Sequence, residues 1–337
     1  MGHRGWSDRH LRSEAVAVVA DAEERPGIID AVPVRHPGRY VAIAVIAVLV
    51  LMFLHMVLTN PAFNWPFVFE AMNQSIVLEG FIKGTLMCTV LAMFFGVIGG
   101  VILAIMRLST NPVLRAVSWV YTWFFRAIPR LVLLTIMGVL GILFPLSRGG
   151  LSFGVPFDWV FIDWLGMSGD WRFYSIDANT LFSGFVGAII GLAASEAAYM
   201  AEIARAGISS VDKGQMEAAQ AVGMSRSLAM RRIVLPQAMR VIVPPTGNET
   251  IAMLKDTSLL IALPLSTEMF FQLSQIGART FQLFPVFVAA TLYYLIATSI
   301  LMVGQAYLEK RFGRGFGTTV TSTKDKAAAG LQAGAAK

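Results

Sequence analysis

The chain has 337 residues, 56% hydrophobic and only 14% charged, with a mean hydropathy of +0.65. Soluble domains carry nearer a quarter charged residues, so the composition excludes an ordinary soluble enzyme and points to a polytopic membrane protein. The net charge of +6 comes with no nucleic-acid motif, and its basic residues cluster between apolar runs.

Residues 1–39 mix prolines and charges without sustained periodicity and read as a disordered tail. A membrane-crossing helix needs about 20 mostly apolar residues. Residues 40–59, 84–106, 181–203 and 284–308 meet that length without interruption. The first of these is too long, and too far from the start, for the apolar core of a cleaved signal peptide. A fifth run, 117–146, contains Arg126, Pro129 and Arg130, so its spanning part is expected to begin near Leu131. Arg126 and Arg130 are expected to reach from it to the polar interface. A sixth, 241–265, contains Asn248, Glu249, Lys255 and Asp256. The single cysteine, Cys88, lies within a span, so no disulfide is available.

With six spans and the N-terminal tail in the cytoplasm, the inward segments carry 20 Lys and Arg and the outward segments 3. The basic excess is therefore topological. Between the second half of the chain's spans, the outward loop 145–180 places Phe157, Val160, Phe161, Trp164 and Leu165 on one helical stripe. That pattern suits an interfacial amphipathic helix or a docking element for an external partner.

The inward segment 212–236 reads DKGQMEAAQAVGMSRSLAMRRIVLP. Asp212 and Gln215 have capping-box spacing, which predicts a helix over 213–222 ending at Gly223. Ser225 offers a second N-cap for a helix over 227–234, limited by Pro236. Helices this short need a packing partner. Met216, Ala219, Gln220 and Gly223 share a stripe that either caps the chain's own bundle or admits another surface.

Glu196 lies well inside the span 181–203, where a carboxylate is costly and faces a bundle interior or cavity. Two readings fit it: contact with a solute ammonium, or a satisfied structural carboxylate. Glu202 and Arg205 are spaced as a local pair. Pro244 and Pro245 suit a helix start, after which Asn248, Ala252, Lys255 and Leu259 share a face. That face either lines a path or packs on a partner chain. Asn248, Lys255, Asp256 and Glu196 are thus candidate path residues.

The spacing E-A-A-x3-G-x9-I-x-L-P, carried by Glu217, Ala218, Ala219, Gly223, Ile233, Leu235 and Pro236, resembles the cytoplasmic signature loop of bacterial ABC importer permeases. The segments AYMAEIARAGI, LPQAMR and LKDTSL resemble its polar amino acid branch. Gly84, Thr85 and Leu86 resemble its opening G-T-L element. FRAIPRLVL resembles its F-R-G-T-P-L-L-V element, with departures at Ala127, Ile128 and Arg130. The resemblance spans about 79–312 and implies an all-α type I permease fold, a five-span core with one extra N-terminal helix at 40–59, and a flexible tail at 313–337. It implies that Gly214, Glu217, Ala218, Ala219, Gly223, Ile233, Leu235 and Pro236 couple the chain to an ABC ATPase dimer. ATP and Mg would be bound by that partner, and this chain would hold no cofactor or metal. A second permease copy or paralogue, an extracytoplasmic solute-binding protein and the lipid bilayer are the other implied partners. The location implied is the bacterial inner membrane, with both termini cytoplasmic, and the cargo a polar amino acid. An ion-coupled secondary transporter or channel is the alternative. An intramembrane enzyme is disfavoured, on the expectation that the chain carries no HExxH or GxSxG string, and histidines are few. A self-contained pump is disfavoured by the lack of any Gly-Lys dipeptide.

Overall fold

The computed structural model describes residues 37–144, 150–155, 172–263 and 265–312, with Trp164 and Gly166. The expected tails at 1–36 and 313–337, and all of the expected aromatic stripe except Trp164, lie outside the described residues. The chain divides into two compact units, one ending at Thr59 and one beginning at Asn60. In the first, helix α1 (Pro37–Thr59) is apolar all round and buries none of its residues. A helix that is apolar on every side is suited to lipid.

The second unit begins with α2 (Trp65–Met72), then a long helix α3 over Ser75–Leu108. Next come α4 (Pro112–Ala127) and α5 (Arg130–Leu143), bent by 100° at Ile128 and Pro129. Proline disfavours a helical residue before it, so the F-R-x-x-P element breaks here. A two-stranded antiparallel sheet follows, β1 (Leu151–Gly154) on β2 (Arg172–Ile176), which the sequence did not suggest. Then come α6 (Ala178–Phe182), α7 (Gly184–Ser209), α8 (Lys213–Ala221) and α9 (Arg226–Ala229). The chain closes with α10 (Leu235–Asp256), α11 (Met269–Thr280) and α12 (Leu283–Phe312).

Among the described residues, four helices are long and apolar enough to cross a membrane, and five if the bent pair α4 and α5 counts as one span. The expected sixth, α10, is too polar to join them by composition. Two of its charged side chains, Glu249 and Asp256, meet Arg130 of α5, whereas Lys255 is exposed. Pro236 does not stop the preceding helix, and Pro244 and Pro245 lie inside α10 instead of opening it. A π-helical turn over Met230–Val234 leads directly into α10. The wider turn accommodates Pro236, and the Gln237 amide side chain donates to the Ile233 carbonyl at 3.0 Å.

One core joins α3, α5, α7 and α10 through Cys88, Ala92, Leu134, Leu192, Met253 and Leu260. A second joins α2, α11 and α12 through Val68, Met269, Leu273, Val286 and Tyr293. The α3–α7 contact uses small residues, as close helix packing in lipid requires. A side chain at Gly96 would sit 2.7 Å from Cβ and Cγ of Glu196, so that glycine makes the room in which the carboxylate is buried.

Candidate functional site

Two sets of residues are candidates for functional chemistry. The first is the hairpin following α7. The Asp212 carboxylate accepts from the Gly214 amide at 2.8 Å, so Gly214 supplies the capping donor. The reciprocal Gln215 bond of a full capping box is not made among the described residues. At the other end, the Gly223 amide donates to the Gln220 carbonyl and the Met224 amide to the Ala219 carbonyl, at 2.9 and 3.0 Å. This is the Schellman pattern, and Gly223 holds the positive φ of 84° that it needs. The Ser225 hydroxyl accepts from the Leu228 amide and opens α9. The expected second helix over 227–234 is therefore α9 plus the π turn, running on into α10.

The signature residues divide by face. Gly214, Glu217 and Ala218 are exposed, while Ala219 is only 3% exposed and packs inside the hairpin. Of the stripe expected either to cap the chain's own bundle or to admit another surface, Ala219 is turned inward and Gln220 and Gly223 are exposed, because a nine-residue helix must bury something against its own chain to persist. Val222, 78% exposed at the turn, is the apolar residue offered to solvent. Its sequence position beside Gly223 was the only signal for it. Ile233, half-buried, and Leu235 and Pro236, exposed, lie where the hairpin becomes α10.

The second set is a charge cluster. Arg130 opens α5 immediately after the break, and its side chain is 13% exposed. Its guanidinium binds Glu196 of α7 at 2.8 Å and pairs with Asp256 of α10. Glu249, also on α10, lies 3.7 Å away. The Ser195 hydroxyl accepts from Nε at 3.2 Å. The guanidinium carbon lies 5.0 Å from the centre of the Tyr199 ring, and that of Arg126 lies 5.6 Å from it. One cation thus faces three carboxylates. Glu196 is fully buried, and its Oε1 has no hydrogen-bond partner. Arg130 does not reach for the interface as expected, because three carboxylates inside the bundle attract it more strongly than water at the surface.

Of the four candidate path residues, Glu196 and Asp256 meet at Arg130, and Glu249 joins them. Asn248 and Lys255 do not. They lie on an adjoining face of α10, as their exposure shows. Asn248 accepts from the Gln305 side chain of α12 at 2.8 Å, and Lys255 makes no ion pair with the described residues. The sequence signal for Arg130 was its departure from the F-R-x-x-P-L-L pattern. Glu202 and Arg205 form the expected local pair at 2.7 Å.

A further buried carboxylate, Glu268, was not singled out by sequence. It caps α11 by accepting from the Phe271 amide at 2.9 Å and accepts from the Thr85 hydroxyl at the same distance. The Tyr294 hydroxyl is a weaker donor at 3.4 Å. Burial pushes the Glu268 carboxyl up to about 7, against these donors. A Cβ on Gly84 would come within 2.4 Å of the Thr267 carbonyl, so the G-T-L element works as a seat for this loop. Residues 150–154 spell GLSFG and do match G-x-S-x-G. Ser152, however, sits mid-strand opposite Ser175, not on a strand-to-helix elbow.

The chain is similar to the family described as "binding-protein-dependent transport system inner membrane component" over residues 96–314. It is 43% identical over 303 residues to the arginine transport system permease protein ArgU of Corynebacterium glutamicum, covering 88% of this chain and 87% of that protein. It is 34% identical over 255 residues to the probable amino-acid permease protein YxeN of Bacillus subtilis, covering 76% and 98%. Among solved structures, that of an amino acid ABC transporter with histidines matches at a TM-score of 0.53 and 28% identity, covering 70% of this chain and 94% of that one. The chain belongs to the family of binding-protein-dependent transport system inner membrane components.

Proposed function

We propose that this chain is the permease subunit of an ATP-driven importer for polar amino acids, with cationic side chains preferred. It has no ATPase activity of its own. Residues 79–312 form the permease domain, 40–59 an added helix, and 313–337 a cytoplasmic tail like the N-terminal one. An ABC ATPase dimer, holding ATP and Mg, docks on Gly214, Glu217, Ala218 and Val222. Gly223 makes the turn, Ala219 stiffens the hairpin, and Ile233, Leu235 and Pro236 pass its movement into α10. A rigid capped helix continuous with a membrane helix can transmit a push, which a loose loop cannot. A second copy or paralogue completes the path, and an extracytoplasmic solute-binding protein delivers the cargo.

The observation that carries the cargo class is one guanidinium against three carboxylates at the junction of α5, α7 and α10. The surplus negative charge suits an incoming ammonium or guanidinium, with Glu249 and Asp256, both partly exposed, as the accessible acceptors. The arginine permease relative supports the same class. Asn248 and Lys255 then belong to the surface shared with the second permease.

The test is ATP hydrolysis by the reconstituted importer with its solute-binding protein, measured across arginine, lysine, glutamine and glutamate. Arginine or lysine is expected to stimulate most. Stimulation by glutamate alone overturns the cargo class. Transport by the purified chain without an ATPase would establish the secondary transporter or channel instead.

A further inference from the structure

A cavity of about 480 Å³ lies between α4 and α7 at the end of the bundle that carries the hairpin. It is separate from the signature face of α8. Its walls hold three guanidiniums and one carboxylate. Arg107 stands one residue before the end of α3, and Arg205 in the last turns of α7. Arg205 is already bound to Glu202 at 2.7 Å. Arg126 lies over the Tyr199 ring and within electrostatic reach of Glu249, and Arg107 makes one long contact, 3.4 Å, with the Arg115 carbonyl. Among the described residues, neither of these two cations is held in a close ion pair with a carboxylate. Beside them Trp119 and Trp123 stack in parallel, ring centres 6.2 Å apart, and both are at least half exposed.

We infer that this cavity holds the headgroup phosphate of an anionic phospholipid. Tryptophans concentrate where a membrane protein meets the headgroup layer, and basic pockets between helices on the cytoplasmic side bind anionic headgroups. Guanidinium groups suit phosphate because they donate in pairs. The indole faces offer an apolar surface for the glycerol and upper acyl chain beside the phosphate. α4 itself is held firmly enough to build a site. The Ser118 hydroxyl donates to the Leu103 carbonyl at 2.8 Å, and the Tyr121 hydroxyl to the Ala194 carbonyl at 2.9 Å. A zwitterionic solute fits less well, because the one carboxylate that could receive its ammonium, Glu202, is occupied by Arg205. The site is distinct from the Arg130 cluster in sign: surplus positive charge here, surplus negative charge there. The Tyr199 ring borders both, 5.6 Å from the Arg126 guanidinium carbon and 5.0 Å from that of Arg130.

The experiment is native mass spectrometry of the full chain in detergent after delipidation, titrated with phosphatidylglycerol, with phosphatidylcholine, and with inorganic phosphate as competitor. Phosphatidylglycerol is expected to be retained at least tenfold more than phosphatidylcholine, with no displacement by millimolar phosphate. The double variant Arg107→Gln with Arg126→Gln is expected to lose that preference. The double variant Lys310→Gln with Arg311→Gln, at the end of α12, is expected to keep it. Equal retention of the two lipids by the unaltered chain overturns the proposal without any variant. So does an unchanged preference in the Arg107 and Arg126 double variant. Displacement by phosphate would show a site for small anions, not for lipid.

Discussion

Arg130 is a residue whose role comes from three helices at once. A buried ion pair is often no more stable than an apolar replacement, but removing one partner strands the others. Arg130→Gln leaves three carboxylates together and is expected to destabilise the chain by about 3 kcal/mol, read as a lower thermal unfolding midpoint. Glu196→Gln differs, because Gln keeps an acceptor for Arg130 and removes a buried charge whose second oxygen is unpaired. It is expected to fold with undiminished stability yet to import cationic amino acids at least tenfold more slowly. Unchanged import would leave Glu196 with the structural role alone. Glu268 gives a pH dependence of known sign. Its folded-state value, about 7, lies above the ordinary carboxylate value, so the folded chain binds more protons between the two. Its contribution to stability is fully present at acid pH and is lost as pH rises through about 7. The thermal midpoint is expected to fall between pH 5 and 8, and Glu268→Gln to flatten that difference.

Among elements, the hairpin has the clearest division of labour. Gly223 occupies a left-handed conformation that costs other L-residues roughly 1–2 kcal/mol. Gly223→Val is expected to distort the turn and to abolish stimulated ATP hydrolysis and import, while membrane insertion measured by fractionation is unchanged. Undiminished import by that variant would sink the coupling role. The same element shows how a π turn changes the consequence of a proline. Pro236 in a strict α-helix would end it, but the wider turn before it lets α8 and α9 connect mechanically to α10. The motion of the hairpin and the position of Glu249 and Asp256 then depend on one helix.

At the scale of the whole molecule, the distribution of Lys and Arg predicts which ends of the helices face the cytoplasm. Cys88 is buried, so a cysteine placed elsewhere in the folded chain is the reactive one. With a membrane-impermeant maleimide on intact cells, Lys213→Cys is expected to label only after permeabilisation and Arg279→Cys from outside. The reverse pattern would invert the topology and, with it, the assignment of the hairpin to an ATPase.

Much of this was legible in the residues themselves. Apolar runs marked four spans because lipid demands length and hydrophobicity, both local properties. The caps at Asp212 and Ser225 and the turn at Gly223 were also readable, since a helix terminus is decided within a few residues. The signature spacing carried the family. The tertiary structure alone decided which polar side chains meet. Arg130, Glu196 and the α10 pair Glu249 and Asp256 come from three separate stretches of sequence, and their encounter follows from the break at Pro129 and the space left by Gly96. It alone also turned Ala219 inward and seated Glu268 on Thr85. Burial and charge pairing depend on what packs opposite a residue, and that information belongs to no single stretch of chain.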